Sequence, residues 1–291
     1  MAVYNKWVAS TQISTDALFR EYGKWHSDAF ETLGWAKQGD TGQIDWTTVT
    51  RETSFAFTMR GYEIRKSGTG GGTAVYMKIQ YGSGYSINAL GFKVQYGTGS
   101  DGAGTLTGSL ATEYNLMGAS GAVNEVGFFT MAGDDERWTM GQGGVGTPAN
   151  NSVGFFQRTC DTNGADNGTG FAHGMIGYTT AQLCSNQYAE FSGGAGTKDA
   201  NYSMMYFPRL SCAGGAVPYF PMFMQGLTNS GYFMLRDIIA CPYQFAPIGS
   251  IHTISHYGQN LTYKSILGNT TASTHWGYTT PVTMACLMRI D

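Results

Sequence analysis

From Thr73 to Tyr81 the chain alternates. Val75, Met77, Ile79 and Tyr81 fall on one side, and Tyr76, Lys78 and Gln80 on the other. Ser86 to Tyr96 repeats the pattern, with Leu90, Phe92, Val94 and Tyr96 on the apolar side and Lys93 and Gln95 opposite. A period of two over this length predicts half-buried antiparallel strands. The glycine clusters that flank them, Gly68 to Gly72, Gly82 to Gly84 and Gly97 to Gly104, supply tight turns. One segment keeps a different period. Between about Thr15 and Leu33, the residues Leu18, Tyr22, Trp25, Ala29 and Leu33 recur every three or four positions, which predicts an amphipathic helix. Ser14, Thr15 or Asp16 can cap its start, and Gly34 suits its end. Gly23 weakens its middle by roughly 1 kcal/mol relative to alanine, so the helix needs a docking surface.

Further along, short strands are expected at Ser152–Arg158, Met204–Leu210, Tyr219–Met224, Tyr232–Ala240, Ser250–His256 and Thr283–Ile290, with a short helix at Thr180–Phe191. Asp134 and Asp135 mark a hairpin turn between Val126–Met131 and Glu136–Gln142. The chain also echoes itself. K-I-Q-Y-G-S-G (Lys78 to Gly84) returns as K-V-Q-Y-G-T-G (Lys93 to Gly99), and V-G-F-F occurs at Val126 and at Val153. Two copies do not make a solenoid; they read as strands of one sheet with similar neighbours. The expected fold is mainly β, an antiparallel sandwich- or barrel-like body with one N-terminal amphipathic helix. The segments are an N-terminal helical attachment segment (1–50), a first β region (51–145) and a second (146–291), the last two forming either separate units or one continuous domain.

Composition narrows the function. Only 13% of the 291 residues are charged, about half the usual share. Yet 42% are hydrophobic and 14% aromatic, so the chain can bury a core. The net charge is −3 and no Lys/Arg stripe occurs, which gives nucleic acid no electrostatic footprint. No apolar run is long enough to span a membrane. Met1 to Gln12 has no apolar core of a secretory signal. The five cysteines are widely spaced and odd in number, which suits reduced, buried thiols in a protein assembled in a cytoplasm.

Candidate chemistry is sparse. Gly97 to Gly102 spells G-x-G-x-x-G after a strand, but the helix that a dinucleotide would need does not follow. Asp161 to Gly168 (D-T-N-G-A-D-N-G) departs from a calcium loop, because Ala165 stands at a ligand position and no glutamate closes it. Asp161, Asn163 and Asp166 remain the candidate oxygen ligands there, against an ordinary Asx-rich turn. Asp134, Asp135 and Glu136 are neighbours on a turn, unlike two carboxylates facing each other across a cleft. His252 and His256 are four apart but alternate like strand residues, which separates them by about 13 Å. No catalytic, cofactor-binding or metal-ligating set is therefore expected. The many aromatic residues and methionines on a low-charge scaffold suit packing between subunits or stacking on sugars, and equally an ordinary core. The helix face of Leu18, Tyr22 and Trp25 is the expected assembly interface.

Trp35 to Gly108 resembles virion structural proteins of tailed bacteriophages, of the tail, baseplate or fibre type. The likeness rests on G-D-T-G-Q-I-D-W (Gly39 to Trp46), G-Y-E-I (Gly61 to Ile64), Y-M-K-I-Q-Y-G-S-G (Tyr76 to Gly84) and Y-G-T-G-S-D-G-A-G-T-L-T-G (Tyr96 to Gly108). Met284 to Asp291 looks like the closing strand of such chains. The resemblance implies a virion location, assembly in the host cytoplasm, and a homo-oligomer (trimer or hexamer) that packs with other virion proteins. It transfers no active-site residue. Two other readings fit the same residues: a tip that binds a host glycan or protein receptor, and a polysaccharide-degrading enzyme.

Overall fold

The computed structural model describes residues 1–8, 10–69, 73–84, 86–117, 126–144, 152–160, 166–177, 205–206, 219–225, 232–242, 245–256, 258–268 and 284–291. The chain opens with strand β1 (Ala2–Val8), then helix α1 (Asp16–Thr32). Next come β2 (Ala36–Lys37), β3 (Met59–Lys66), β4 (Tyr76–Ser83), β5 (Leu90–Ser100) and β6 (Leu106–Met117). They are followed by β7 (Gly127–Asp134), β8 (Arg137–Gly144), β9 (Ser152–Cys160) and β10 (Asp166–Gly177). The remainder contributes β11 (Met205–Tyr206), β12 (Phe220–Gln225), β13 (Tyr232–Pro242), β14 (Ile251–His256), β15 (Gln259–Gly268) and β16 (Met284–Arg289).

These strands form three antiparallel sheets in a sandwich-like, mainly β body. Their orders are β2-β3-β4-β5-β6, β1-β7-β8-β9-β10 and β11-β12-β13-β16-β15-β14. The second sheet lies between the other two. Strands β7 and β8 show why: nearly every residue in them is buried, on both faces. Phe129, Met131, Trp138 and Met140 join the core that holds the helix and the first sheet. Phe128 and Thr130 point the other way, toward Lys264 of β15. Gly141 lets β15 approach, since a Cβ there would fall 2.1 Å from Ile266. Such doubly covered strands read as continuous apolar runs rather than alternating ones.

The alternating strands are those of the first sheet. Val75, Met77, Ile79 and Tyr81, and likewise Leu90, Phe92, Val94 and Tyr96, are all buried in one core. The first echo is a paired ladder: Lys78 faces Gln95, and Gln80 faces Lys93, across β4 and β5. The second echo flanks a common neighbour, because β7 and β9 both pair with β8. The hairpin expected around Asp134 and Asp135 joins β7 to β8.

Helix α1 is capped at both ends. The Thr15 side chain accepts from the Leu18 amide at 3.2 Å. At the other end Gly34 adopts φ +92°, with Gly34 N–H donating to Glu31 and Trp35 N–H to Phe30. That is a Schellman motif, which uses orphan carbonyls of the last turn. The buried face is Phe19, Tyr22, Gly23, His26, Ser27, Ala29 and Phe30. It is rotated from the purely apolar stripe, so Leu18 and Trp25 lie at its margin, half-buried against the core. Gly23 explains the rotation. A Cβ there would sit 2.3 Å from the Trp46 ring, so the missing side chain seats a tryptophan.

Strand β1 lies outside the strands expected from pattern. It pairs with β7 along its whole length, from Ala2 opposite Gly133 to Val8 opposite Gly127. Residues 1–50 thus supply an edge strand of the middle sheet as well as the helix.

Candidate functional site

Three places in the body gather polar or ionisable side chains. The first lies under the helix. Glu63 and Arg65, two apart on β3, point to the same side and are both fully buried. Glu63 Oε1 accepts from Ser27 Oγ (2.9 Å), Lys37 Nζ (3.0 Å) and Trp46 Nε1 (3.2 Å). Its Oε2 accepts from Arg65 (3.0 Å) and the Tyr81 hydroxyl (3.4 Å). Arg65 also donates to the carbonyls of Trp35 and Ser27. Burial pushes the Glu63 carboxyl up, but Arg65 and Lys37 and the hydrogen bonds from Lys37 and Ser27 outweigh it and hold it below its usual range. The cluster joins helix to sheet with its charges matched.

The second place is the junction of helix, β5 and β7. The His26 ring packs against Phe92 (4.7 Å) and Phe129 (4.2 Å). Burial lowers its pKa to about 4, so the ring is neutral at pH 7. Nδ1 lies 2.8 Å from the Tyr22 carbonyl and therefore carries the proton. Nε2 is then a lone pair, 2.9 Å from Gln142 Oε1, a contact of two acceptors that turning the amide over relieves while giving the buried Gln142 Nε2 a partner. A lone pair calls for a donor, which orients the amide NH2 toward it. A small half-open pocket of about 40 Å³ starts here, lined by Ile13, Tyr22, Trp25, Leu90 and Phe129 among others. That is room for a few waters or one small group. Tyr22 and Trp25 stack at 4.8 Å along its rim, and the Tyr22 hydroxyl donates to the Ser10 carbonyl.

The third place is the β1 edge of the middle sheet, where β7 is the one partner strand among the described residues. Lys264 of β15 is buried, with Nζ donating to Thr130 Oγ1 (2.8 Å) and Asn5 Oδ1 (3.3 Å). Its ammonium also sits 5.6 Å from the Trp7 and Phe128 ring centres. All these partners are neutral, and burial lowers the Lys264 pKa. Trp7 is 61% exposed, Val126 53% and Ile251 56%. On the other face of β1, Lys6 lies over Tyr4 (5.4 Å) and Trp25 (5.9 Å).

The expected interface residues meet here in part. Tyr22 is buried in the core and rims the pocket, while Leu18 and Trp25 flank it half-buried. Sequence reasoning did not single out Lys264, Trp7, Glu63, Arg65 or Gln142 as site residues. A lysine between two residues of a continuous β pattern looks like any solvated lysine.

The remaining motifs resolve into turns. Gly97 to Gly102 ends β5 and leads into strand β6; the Asp101 carboxylate accepts from the Ala103 (2.8 Å) and Thr105 (2.9 Å) amides. Asp134 and Glu136 pair with Arg137 (3.1 Å) and Arg158 (2.9 Å). Arg158 also reaches the Thr73 carbonyl, so this turn is tied to the first sheet rather than merely solvated. His252 lies on β14 between the Tyr219 hydroxyl and Ser250 Oγ. Residues 161–165 of the Asx-rich loop, and the helix expected at Thr180–Phe191, lie outside the described residues. Among the described residues no cluster of three or more His, Cys, Asp or Glu is placed to hold a metal ion, and no helix is long and apolar enough to cross a membrane.

No protein-family model matches the chain, and no curated protein or solved structure is significantly similar to it.

Proposed function

We propose that this chain is a non-enzymatic structural subunit of a tailed-phage virion, of the tail, baseplate or fibre apparatus, that works by packing against other subunits. The likeness of Trp35 to Gly108 to such proteins supports the virion setting. These residues build β2 to β5 and the turn into β6. The observation that carries the assembly part is the β1 edge, which among the described residues has no second partner strand, with Trp7 and Val126 exposed beside it. Free strand edges and exposed aromatic residues cost a lone protein solubility, and an interface uses both. The buried ionisable groups around Glu63 fit a scaffold, because their hydrogen bonds are spent within the body. The test is the solution mass of the purified protein by light scattering across a concentration series. A stable trimer or hexamer is expected. A monomer at every concentration that also binds a host-surface polysaccharide overturns the reading in favour of a glycan-binding tip.

A further inference from the structure

Two features of the β1 edge have a common consequence. The first is geometric. Among the described residues strand β1 ends the middle sheet, and β14 ends the neighbouring one. Ile251 of β14 is paired with Lys264, and Lys264 reaches Trp7 of β1. The two edges therefore meet around one ammonium group, with Trp7, Val126 and Ile251 as an exposed apolar rim. The second is electrostatic. Among the described residues neither Lys6 nor Lys264 forms an ion pair. Lys264 has only a hydroxyl, an amide oxygen and two ring faces around it. Buried charge is ordinarily paired. Elsewhere in this body that rule holds: Arg65 has Glu63, Arg158 has Glu136, and Arg137 has Asp134 and Asp237.

We propose that the β1 edge is a docking site for an extended, carboxylate-bearing strand of a partner protein, which adds to the middle sheet and brings its acidic side chains to Lys264 and Lys6. The proposal rests on the assembly reading and names the surface and the chemistry of what it meets. Backbone pairing along β1 gives the register, and alternate side chains of the added strand point to the two faces. One face offers Trp7 and Lys264; the other offers Tyr4, Lys6 and Trp25. A carboxylate on either side meets an ammonium held against aromatic rings. A lysine in its place meets like charge, which gives the edge a sign preference.

The probe is a capped synthetic peptide, Thr-Val-Glu-Glu-Glu-Val-Thr, whose consecutive glutamates put carboxylates on both faces of the added strand, compared with its counterpart carrying lysine for glutamate. Binding is read by tryptophan fluorescence, and occupancy of β1 by hydrogen exchange of its outward-pointing amides, those not bonded to β7. The glutamate peptide is expected to bind at least about tenfold more tightly than the lysine peptide, a difference of about 1.4 kcal/mol, and to slow exchange in β1. Its affinity is expected to fall with added salt and to drop several-fold in Lys264→Met and in Trp7→Ser, whose unfolding midpoints are measured alongside. Equal affinity for the two peptides, binding by neither, or an unchanged affinity in a folded Lys264→Met overturns the proposal. Protection of the outward-pointing β1 amides, those not bonded to β7, before any peptide is added means that a second copy occupies the edge, and overturns the acidic partner. In each of these cases the light-scattering mass still decides the assembly reading separately.

Discussion

Arg65 and Lys264 are both buried cations on β-strands, yet their surroundings differ in kind. Arg65 is wrapped by a carboxylate, two carbonyls and a hydroxyl, all within 3.3 Å. Lys264 has two neutral oxygens and two aromatic faces, at the rim of the body. The first arrangement closes on itself and fastens the helix to the first sheet. The second leaves a charge that has no counter-charge among the described residues, where two sheets end. Burial alone therefore does not say whether a buried ion is matched within the body; the sign and number of its neighbours do.

At pH 7 the largest effect should come from breaking the closed arrangement. Arg65→Met leaves Glu63 buried with Lys37 as its one cationic partner, and is expected to cost about 3–5 kcal/mol in chemical denaturation at pH 7. Replacing Glu63 and Arg65 together with apolar residues of similar size should recover most of that loss, because no unpaired charge remains.

Over the first pH unit below about 6.5, mild acid should have an intermediate effect, and Glu63 stays charged there. Burial holds His26 at about 4 and His173 at about 3 in the folded chain. Unfolded histidines take up protons below about 6.5, so the unfolded state binds more protons through this window. Stability contributed by the neutral rings is thus present above pH 6.5 and lost as the pH falls toward 4, by up to about 1.4 kcal/mol per pH unit for each ring. Glu63 is held below its usual range and stays charged over most of that span. Denaturation midpoints measured from pH 7 to 4 should fall, and His26→Gln should roughly halve the slope. An unchanged midpoint in the parent chain would mean that neither ring is buried as a neutral base.

The smallest effect should come from Lys264→Met, which replaces an uncompensated ammonium with a side chain suited to an aromatic slot. Thr130 keeps its hydrogen bond to Asn5 at 2.7 Å. A change within about 1 kcal/mol is expected in the same denaturation assay. A loss as large as that of Arg65→Met would show that the two cations play the same structural part, and would erase the contrast.

Much of the first sheet was legible because one face of it meets solvent. In β4 and β5 the inner residues Met77, Ile79, Tyr81, Phe92, Val94 and Tyr96 alternate with Lys78, Gln80, Lys93 and Gln95, and the pattern states which side is covered. The helix was legible from its period and its caps. Its burial face was less so, because His26, Ser27 and Gly23 face inward for reasons set by Gln142, Glu63 and Trp46. Strand β1 escaped notice because its partner lies far along the chain, with Asn5 bonded to Thr130 across 125 positions. The glycine-rich β10 and the doubly covered β15 had no alternation to betray them.

By itself the sequence determined local periods, turns and caps, since these depend on neighbours a few residues apart. It also determined the mainly β character, because strand-forming residues and glycine turns recur along the chain. Tertiary structure alone decided which polar residues are buried and what faces them. Glu63 meets Arg65 and Ser27, Lys264 meets Thr130 and Trp7, and each such meeting depends on how whole sheets stack. A side chain's electrostatic surroundings come from segments distant in the chain, so no local pattern records them.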